Sequence, residues 1–355
     1  MAEVMVNNMD LHKSDIYVAD LDTAILHTVG MESLKNCTIL ITGATGTIGS
    51  FVTDMLLRFA HAASANIKVV AAGRNVQKLV NQFGECNEFQ AIEYDLNSDV
   101  HFNVNADYII HIAGNAHPAA FNGDPVGTIL GSINSTYRLL EYGRLHRAKR
   151  LLYVSSGEVY GQGDLSLDSF EEGYSGYLDV QSPRSCYPMA KRATENLCAS
   201  YSKQYEFETV VVRPCHTYGP CITLSDNRAN VQFMRNVLNG EDIVMKSAGT
   251  QMRSYNYVAD CASALLTALI VGNSGETYNT ANPNVRCTIA QLAETIANKA
   301  GKQVIYADPD AVDIANRTPI AKQVLSSKKI EALGWTGAFS LEDGVEHTLQ
   351  ILQGK

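Results

Sequence analysis

The segment that most limits how this chain folds is Thr42-Gly43-Ala44-Thr45-Gly46-Thr47-Ile48-Gly49, because of what flanks it. Before it, Cys37-Thr38-Ile39-Leu40-Ile41 has the continuous apolar, β-branched character of a strand buried on both faces. After it, Phe51, Val52, Met55, Leu56 and Phe59 recur at helical spacing between Ser50 and Ala60. Strand, glycine turn and helix together form the βα unit that sets a pyrophosphate against a helix N-terminus. Glycine is required where the backbone turns tightly and lies too close to a ligand for a Cβ. The spacing is Gly-x-x-Gly-x-x-Gly, and it marks Gly43, Thr45, Gly46, Thr47, Ile48 and Gly49 as candidate dinucleotide contacts. A glycine triplet alone is weak, since turns collect glycine for structural reasons. Its place between strand and helix gives it meaning.

The next strand pattern, Ile67 to Ala72, ends in Gly73-Arg74-Asn75. A carboxylate at this point suits the ribose of NAD, whereas an arginine accepts a 2′-phosphate. Arg74 therefore leans toward NADP, but it also fits a flat stack on adenine or a solvated loop position. Asp95 and Leu96 follow another strand pattern, Ala91 to Tyr94, where a carboxylate can accept from the adenine amino group.

Further along, Tyr187-Pro188-Met189-Ala190-Lys191 opens an amphipathic helix. Residues i and i+4 share a helix face, so the phenol and the ammonium reach one site. A neighbouring ammonium, together with the positive ring of an oxidised nicotinamide, favours the phenolate and draws a tyrosine toward use as a base at neutral pH. Tyr187 is thus the candidate for moving a hydroxyl proton, with Lys191 as its partner. Leu151 to Val154 is an apolar strand, and Ser155, Ser156 and Glu158 emerge at its C-terminal end, where ligands collect in doubly wound sheets. Ser156 can donate to the same substrate oxygen, and Glu158 is a carboxylate that plain alcohol oxidation does not need.

These motifs resemble the short-chain dehydrogenase/reductase superfamily, in its extended, sugar-nucleotide branch. Ile109-Ile110-His111-Ile112-Ala113-Gly114, Val211-Val212-Arg213-Pro214-Cys215-His216-Thr217-Tyr218-Gly219-Pro220, Gln251 to Asp260 and Leu333-Gly334-Trp335 are similar to further ordered motifs of that branch. Within it, His111 to Pro118, Ser156 to Gly161, Arg184 to Glu195 and Asp226-Asn227-Arg228 look most like UDP-glucuronate decarboxylases. The resemblance implies a Rossmann-type doubly wound parallel sheet with a smaller C-terminal substrate-binding lobe, oxidation of a sugar C4 by NAD or NADP, and a nucleotide-diphosphate sugar as substrate. It places Ala113, Gly114, Asn134, Ser155, Pro214 and His216 beside the cofactor. It places His117, Arg184, His216, Arg228, Arg253 and Arg317 beside the substrate, with the arginines suited to diphosphate oxygens. It also implies a homodimer, through helices near 126–146 and 187–203.

The chain departs from that pattern in places. Pro188-Met189-Ala190 replaces an acidic stretch, His216 stands where many relatives carry asparagine, and Gly157 replaces a serine or an aspartate. The missing aspartate counts against a dTDP-glucose 4,6-dehydratase. Decarboxylation of a nucleotide-linked uronic acid is the leading expectation, with dehydration or epimerisation of a nucleotide hexose as the alternative. A non-catalytic sensor on this fold typically lacks the tyrosine or the lysine, and both are present.

The chain's 355 residues, 46% hydrophobic and 18% charged, suit a globular enzyme with a large core. The expected organisation is an N-terminal extension over 1–35, a dinucleotide-binding unit over 36–219, and a mainly substrate-binding lobe over 220–355. A net charge of −9 offers no footprint for nucleic acid. Eight dispersed cysteines without Cys-x-x-Cys spacing suggest reduced thiols, no metal site and a cytoplasmic setting. The first residues lack a basic-then-apolar leader pattern, and Cys261 to Gly275 is too short for a comfortable membrane span.

Overall fold

The computed structural model describes residues 11–114, 116, 121, 123–222, 226, 228–309 and 320–355. His117 and Arg317, two of the expected substrate contacts, lie outside the described residues.

Alternating strands and helices build the frame. In chain order they are α1 (Asp15–Leu26), β1 (Thr38–Thr42), α2 (Thr47–Ala62), β2 (Lys68–Gly73), α3 (Val76–Phe83), β3 (Phe89–Glu93), β4 (Tyr108–His111), α4 (Pro125–Leu145), β5 (Arg150–Val154), α5 (Cys186–Tyr205) and β6 (Glu208–Pro214). They continue as β7 (His216–Tyr218), α6 (Ala229–Leu238), β8 (Ile243–Met245), β9 (Met252–Tyr257), α7 (Val258–Val271), β10 (Thr277–Thr280), β11 (Arg286–Thr288), α8 (Ile289–Lys299), β12 (Val304–Tyr306), β13 (Lys322–Gln323), α9 (Lys328–Glu331) and α10 (Leu341–Leu352).

Seven parallel strands form one sheet in the order β10-β6-β5-β4-β1-β2-β3. The strand order reverses between β1 and β4, and a crevice opens at the carboxyl ends of strands at such a switch point. Ile39, Leu40 and Ile41 of β1 are fully buried, as the unbroken apolar run demands of a strand covered on both faces. A smaller sheet, β11-β9-β13 with β7 also on β9, and the β12–β8 pair belong to the C-terminal half. That half also returns β10 to the edge of the main sheet, in register with β6.

The N-terminal segment is less peripheral than its place before β1 suggests. Every residue of α7 from Val258 to Leu269 is buried, so this helix needs cover on both sides. The sheet covers one side, and α1 packs against α7 and α2 on the other, burying Tyr17 and Leu21. Polar contacts then fix α1 in place. Tyr17 donates to Asp54 of α2 at 2.6 Å, and Asp20 accepts from Tyr257 at 2.6 Å. Asp20 also lies 2.8 Å from His347 Nδ1 on α10.

The Asp20 carboxylate raises the His347 pKa above its ordinary value, partly opposed by burial. A group whose pKa is raised on folding contributes stability below its unfolded pKa and loses it as pH rises through the folded value. His347→Gln is therefore expected to cost about 1 kcal/mol at pH 6. The deficit relative to the unchanged protein should shrink toward pH 9, as read by urea unfolding at the two pH values.

Candidate active site

Gly43 sits at φ +81°, in the left-handed region that glycine tolerates. A Cβ there would lie 2.7 Å from the Ala113 backbone nitrogen, so the loop meets the end of β4 backbone to backbone. A Cβ on Gly49 would lie 2.1 Å from the Gly43 carbonyl oxygen, which fixes how closely α2 begins against the turn. Gly46 is the N-cap of α2 and supplies no capping side chain. The first amides of the helix, at Thr47, Ile48 and Gly49, therefore lack intrahelical acceptors and suit an anion. A Cβ at Gly114 would meet nothing within 4 Å, and one at Gly46 only the Gly43 oxygen at 3.5 Å. This open glycine cradle at the switch point fits the pyrophosphate and near ribose of a dinucleotide.

The expected adenine-side residues are spread along the rim. Arg74 is exposed just beyond β2. Asp95 accepts from the Asn97 amide at 2.8 Å, and Leu96 gives its carbonyl to Arg138. Asn134 is exposed on α4, while Ser132 and Ser135 on the same helix are buried. Under the crevice, His111 bridges Thr42 Oγ1 at 2.7 Å and Ser135 Oγ at 3.3 Å. Burial, then the Lys191 charge, lowers the His111 pKa to about 3, so this imidazole is neutral.

Tyr187 and Lys191 lie in the first turns of α5 and are 7% and 4% exposed. The Lys191 amine donates to the Val154 carbonyl at 2.7 Å and sits 4.6 Å from the centre of the Tyr153 ring. It lies 5.7 Å from the centre of the Tyr187 ring. Burial lowers the Lys191 pKa to about 8. Burial, followed by the Glu158 charge, pushes Tyr187 up to about 12. A hydrogen bond with Ser156 and the charges of Arg228 and Arg184 pull it back without overcoming burial. On balance burial favours the neutral phenol.

Ser156 and Glu158 stand where β5 ends, and the Ser156 hydroxyl accepts from the Glu158 amide at 3.2 Å. Ser155 points elsewhere, giving its hydroxyl to Glu195. Glu195 in turn pairs with Arg213 at 2.6 Å, so Ser155 belongs to a buried network between α5 and β6. Arg184 reaches Glu158 at 3.4 Å.

Arg228 is held by Asp226, and Arg253 is 3% exposed, with its guanidinium on the carbonyls of Met252 and Ile320. Both charges act on His216, whose pKa burial and these two cations lower to about 3. Among the described residues, the buried His216 Nδ1 has no hydrogen-bond partner. Pro214, two residues before it, closes β6. Arg228 also lines a small pocket with Thr47, Tyr218, Gly219, Asn230 and Met234, which joins the start of α2 to the C-terminal half.

The structure adds a residue that the sequence did not point to. Phe121 is buried and stacks on Tyr187, with ring centres 4.5 Å apart and planes 16° from parallel. The Arg184 guanidinium lies 4.7 Å from the same ring. Phe121 stands among Ala, His, Pro and Gly with no strand or helix periodicity, so no sequence signal marks it. Cys186, beside Tyr187, is a packed thiol whose pKa burial raises.

The parallel sheet, the glycine cradle and the Tyr–Lys pair at one switch point define an extended short-chain dehydrogenase/reductase. Residues 39–281 match the NAD dependent epimerase/dehydratase family, and the chain belongs to it. The chain is 31% identical over 320 residues to UDP-glucuronic acid decarboxylase 6 of Arabidopsis thaliana, spanning 88% of this chain and 87% of the relative. It is 30% identical over 318 residues to UDP-glucuronic acid decarboxylase 1 of Xenopus tropicalis, spanning 89% and 72%. The fold is shared with UDP-glucuronic acid 4-epimerase from Bacillus cereus, solved with UDP-glucuronic acid and NAD. That match has a TM-score of 0.75 at 21% identity over 89% of this chain and 99% of the other.

Tyr187→Phe keeps the ring stack and removes the hydroxyl. Turnover is expected to fall about 10²- to 10⁴-fold, the usual worth of a positioned proton-transfer group. The melting temperature of the variant should match that of the unchanged protein.

Proposed function

We propose that the protein is a UDP-glucuronate decarboxylase, with Tyr187, Lys191, Ser156 and Glu158 as its catalytic residues. The observation that carries this reading is the group at the end of β5, where Glu158 acts on the Tyr187 phenol and pairs with Arg184. A neighbouring carboxylate is superfluous for simple alcohol oxidation, and the relatives at 30–31% identity are decarboxylases.

Bound NAD(P)+ would supply the two-electron acceptor for the C4–H bond. The amides of Thr47, Ile48 and Gly49 would hold its pyrophosphate, and Lys191 would lie by its nicotinamide ribose. Arg74, Asp95 and Leu96 are assigned to the adenine end, and Ala113, Gly114, Asn134, Ser155 and Pro214 to the remaining contacts. Tyr187 would take the proton of the sugar C4 hydroxyl, with the Ser156 hydroxyl on the same oxygen. Once C4 is a ketone, the C5 carboxylate is a β-keto acid. The electrons of its C–C bond would flow to the C4 oxygen as carbon dioxide leaves, with Tyr187 and Ser156 donating to that oxygen. C5 would then take a proton, and either C4 would regain its hydride or the ketone would be released. Arg228, Arg253 and His216 would hold the diphosphate, with Arg184 at the sugar.

A second reading, epimerisation or dehydration, follows if Glu158 removes the C5 proton instead. Incubation of the purified protein with UDP-glucuronate separates the two. Stoichiometric carbon dioxide is expected. Turnover of a 6-hydroxymethyl nucleotide sugar without gas would overturn the decarboxylase assignment.

The assembly is proposed as a homodimer. Val126, Leu130 and Tyr137 are 66%, 50% and 50% exposed along α4, which packs against α5. An apolar stripe of this kind fits a second copy better than water. Mass measured in solution should equal two chains, and Leu130→Asp should shift it to one. Among the described residues, no helix is long and apolar enough to cross a membrane.

A further inference from the structure

The amino ends of the parallel strands face away from the dinucleotide crevice, and three metal-ligating side chains meet there. His61 lies in the last turn of α2. Cys86 and Glu88 lie in the strap that leads into β3. One ligand atom from each, the His61 ring nitrogen, the Cys86 sulfur and a Glu88 carboxylate oxygen, fall within 4.8 Å of one another. The two sequence segments are separated by a strand and a helix, so the fold brings the donors together.

Two features suit this cluster to a cation. First, the strap is rigid: the Glu88 carbonyl accepts from Val69 of β2 at 2.7 Å, and the Phe89 amide donates to the Cys86 carbonyl at 3.2 Å. Second, neither His61 nor Glu88 forms an ion pair among the described residues, and the Glu88 carboxylate instead meets the Cys86 thiol. The C-terminal end of α2 also favours positive charge through the helix dipole.

We propose that His61, Cys86 and Glu88 form a binding site for a divalent cation of the zinc type. Thiolate, imidazole and carboxylate with water in the fourth position make a tetrahedral set. In such a set neighbouring ligand atoms stand roughly 3.3–3.7 Å apart. Since the three atoms lie within 4.8 Å of one another, at most about 1.5 Å of closure is needed, within reach of side-chain rotation at the exposed His61 and half-buried Glu88. The ion would staple the end of α2 to the start of β3, stabilising the unit that carries the glycine loop without entering the crevice. It therefore stands apart from the decarboxylase reading.

Cobalt(II) titration of the reduced, metal-free protein tests the site. One equivalent should produce a sulfur-to-cobalt charge-transfer band, zinc should displace it, and zinc should raise the melting temperature. Cys86→Ser should abolish the band, and His61→Ala and Glu88→Gln should weaken zinc binding about tenfold or more, as expected on losing one of three protein ligands. Absence of the band overturns the proposal. So does binding by all three variants equal to that of the unchanged protein, which would place the ion on other thiols. The melting temperatures of the metal-free variants, matched to the parent, exclude misfolding as the cause of any loss.

Discussion

The bond from the Lys191 amine to the Val154 carbonyl is the contact on which the rest of the site depends. It fastens the first turns of α5 to the carboxyl end of β5, the strand that also delivers Ser156 and Glu158. A fully buried amine needs such partners. The carbonyl and the Tyr153 ring replace the water that the ammonium leaves behind. With that joint made, Tyr187 one turn earlier on the helix is fixed relative to both the strand end and the glycine cradle.

Burial sets the direction throughout the crevice, and neighbouring cations add to it at His111 and His216. Desolvation raises Tyr187 and lowers Lys191, His111 and His216, so each is drawn toward its neutral form. Fixed charges work against this at Tyr187, where Arg184 and Arg228 favour the phenolate. A site balanced in this way responds strongly to any further charge delivered to it, because little water remains to screen the interaction. The stack of Phe121 on the phenol belongs to the same balance, since it supplies part of the apolar surface that excludes solvent.

The N-terminal helix shows how the sheet scaffold is extended outward. Its buried face covers α7, and its single Asp20 carboxylate serves both Tyr257 and His347 from the far side of the chain. Paired polar groups of this kind are costly to leave unmatched once buried, so they fix α1 in one position. The helix also contacts α2 through Tyr17 and Asp54, and so backs the element whose first turn forms the dinucleotide cradle.

The parallel sheet, the glycine turn and the Tyr187–Lys191 face were legible in the sequence because each rests on local periodicity. Buried strands need apolar runs, tight turns need glycine, and helix faces repeat every three to four residues. What the sequence could not supply were relations between distant segments. Nothing local sends Ser155 to Glu195, sets Phe121 against Tyr187, or brings His61 to Cys86. Nor could it give the direction in which burial drives the Tyr187 phenol, against the pull of Lys191 and an oxidised nicotinamide. That direction depends on how much water is left around the phenol, and exclusion of water is a property of the packed chain, which only the tertiary structure decides.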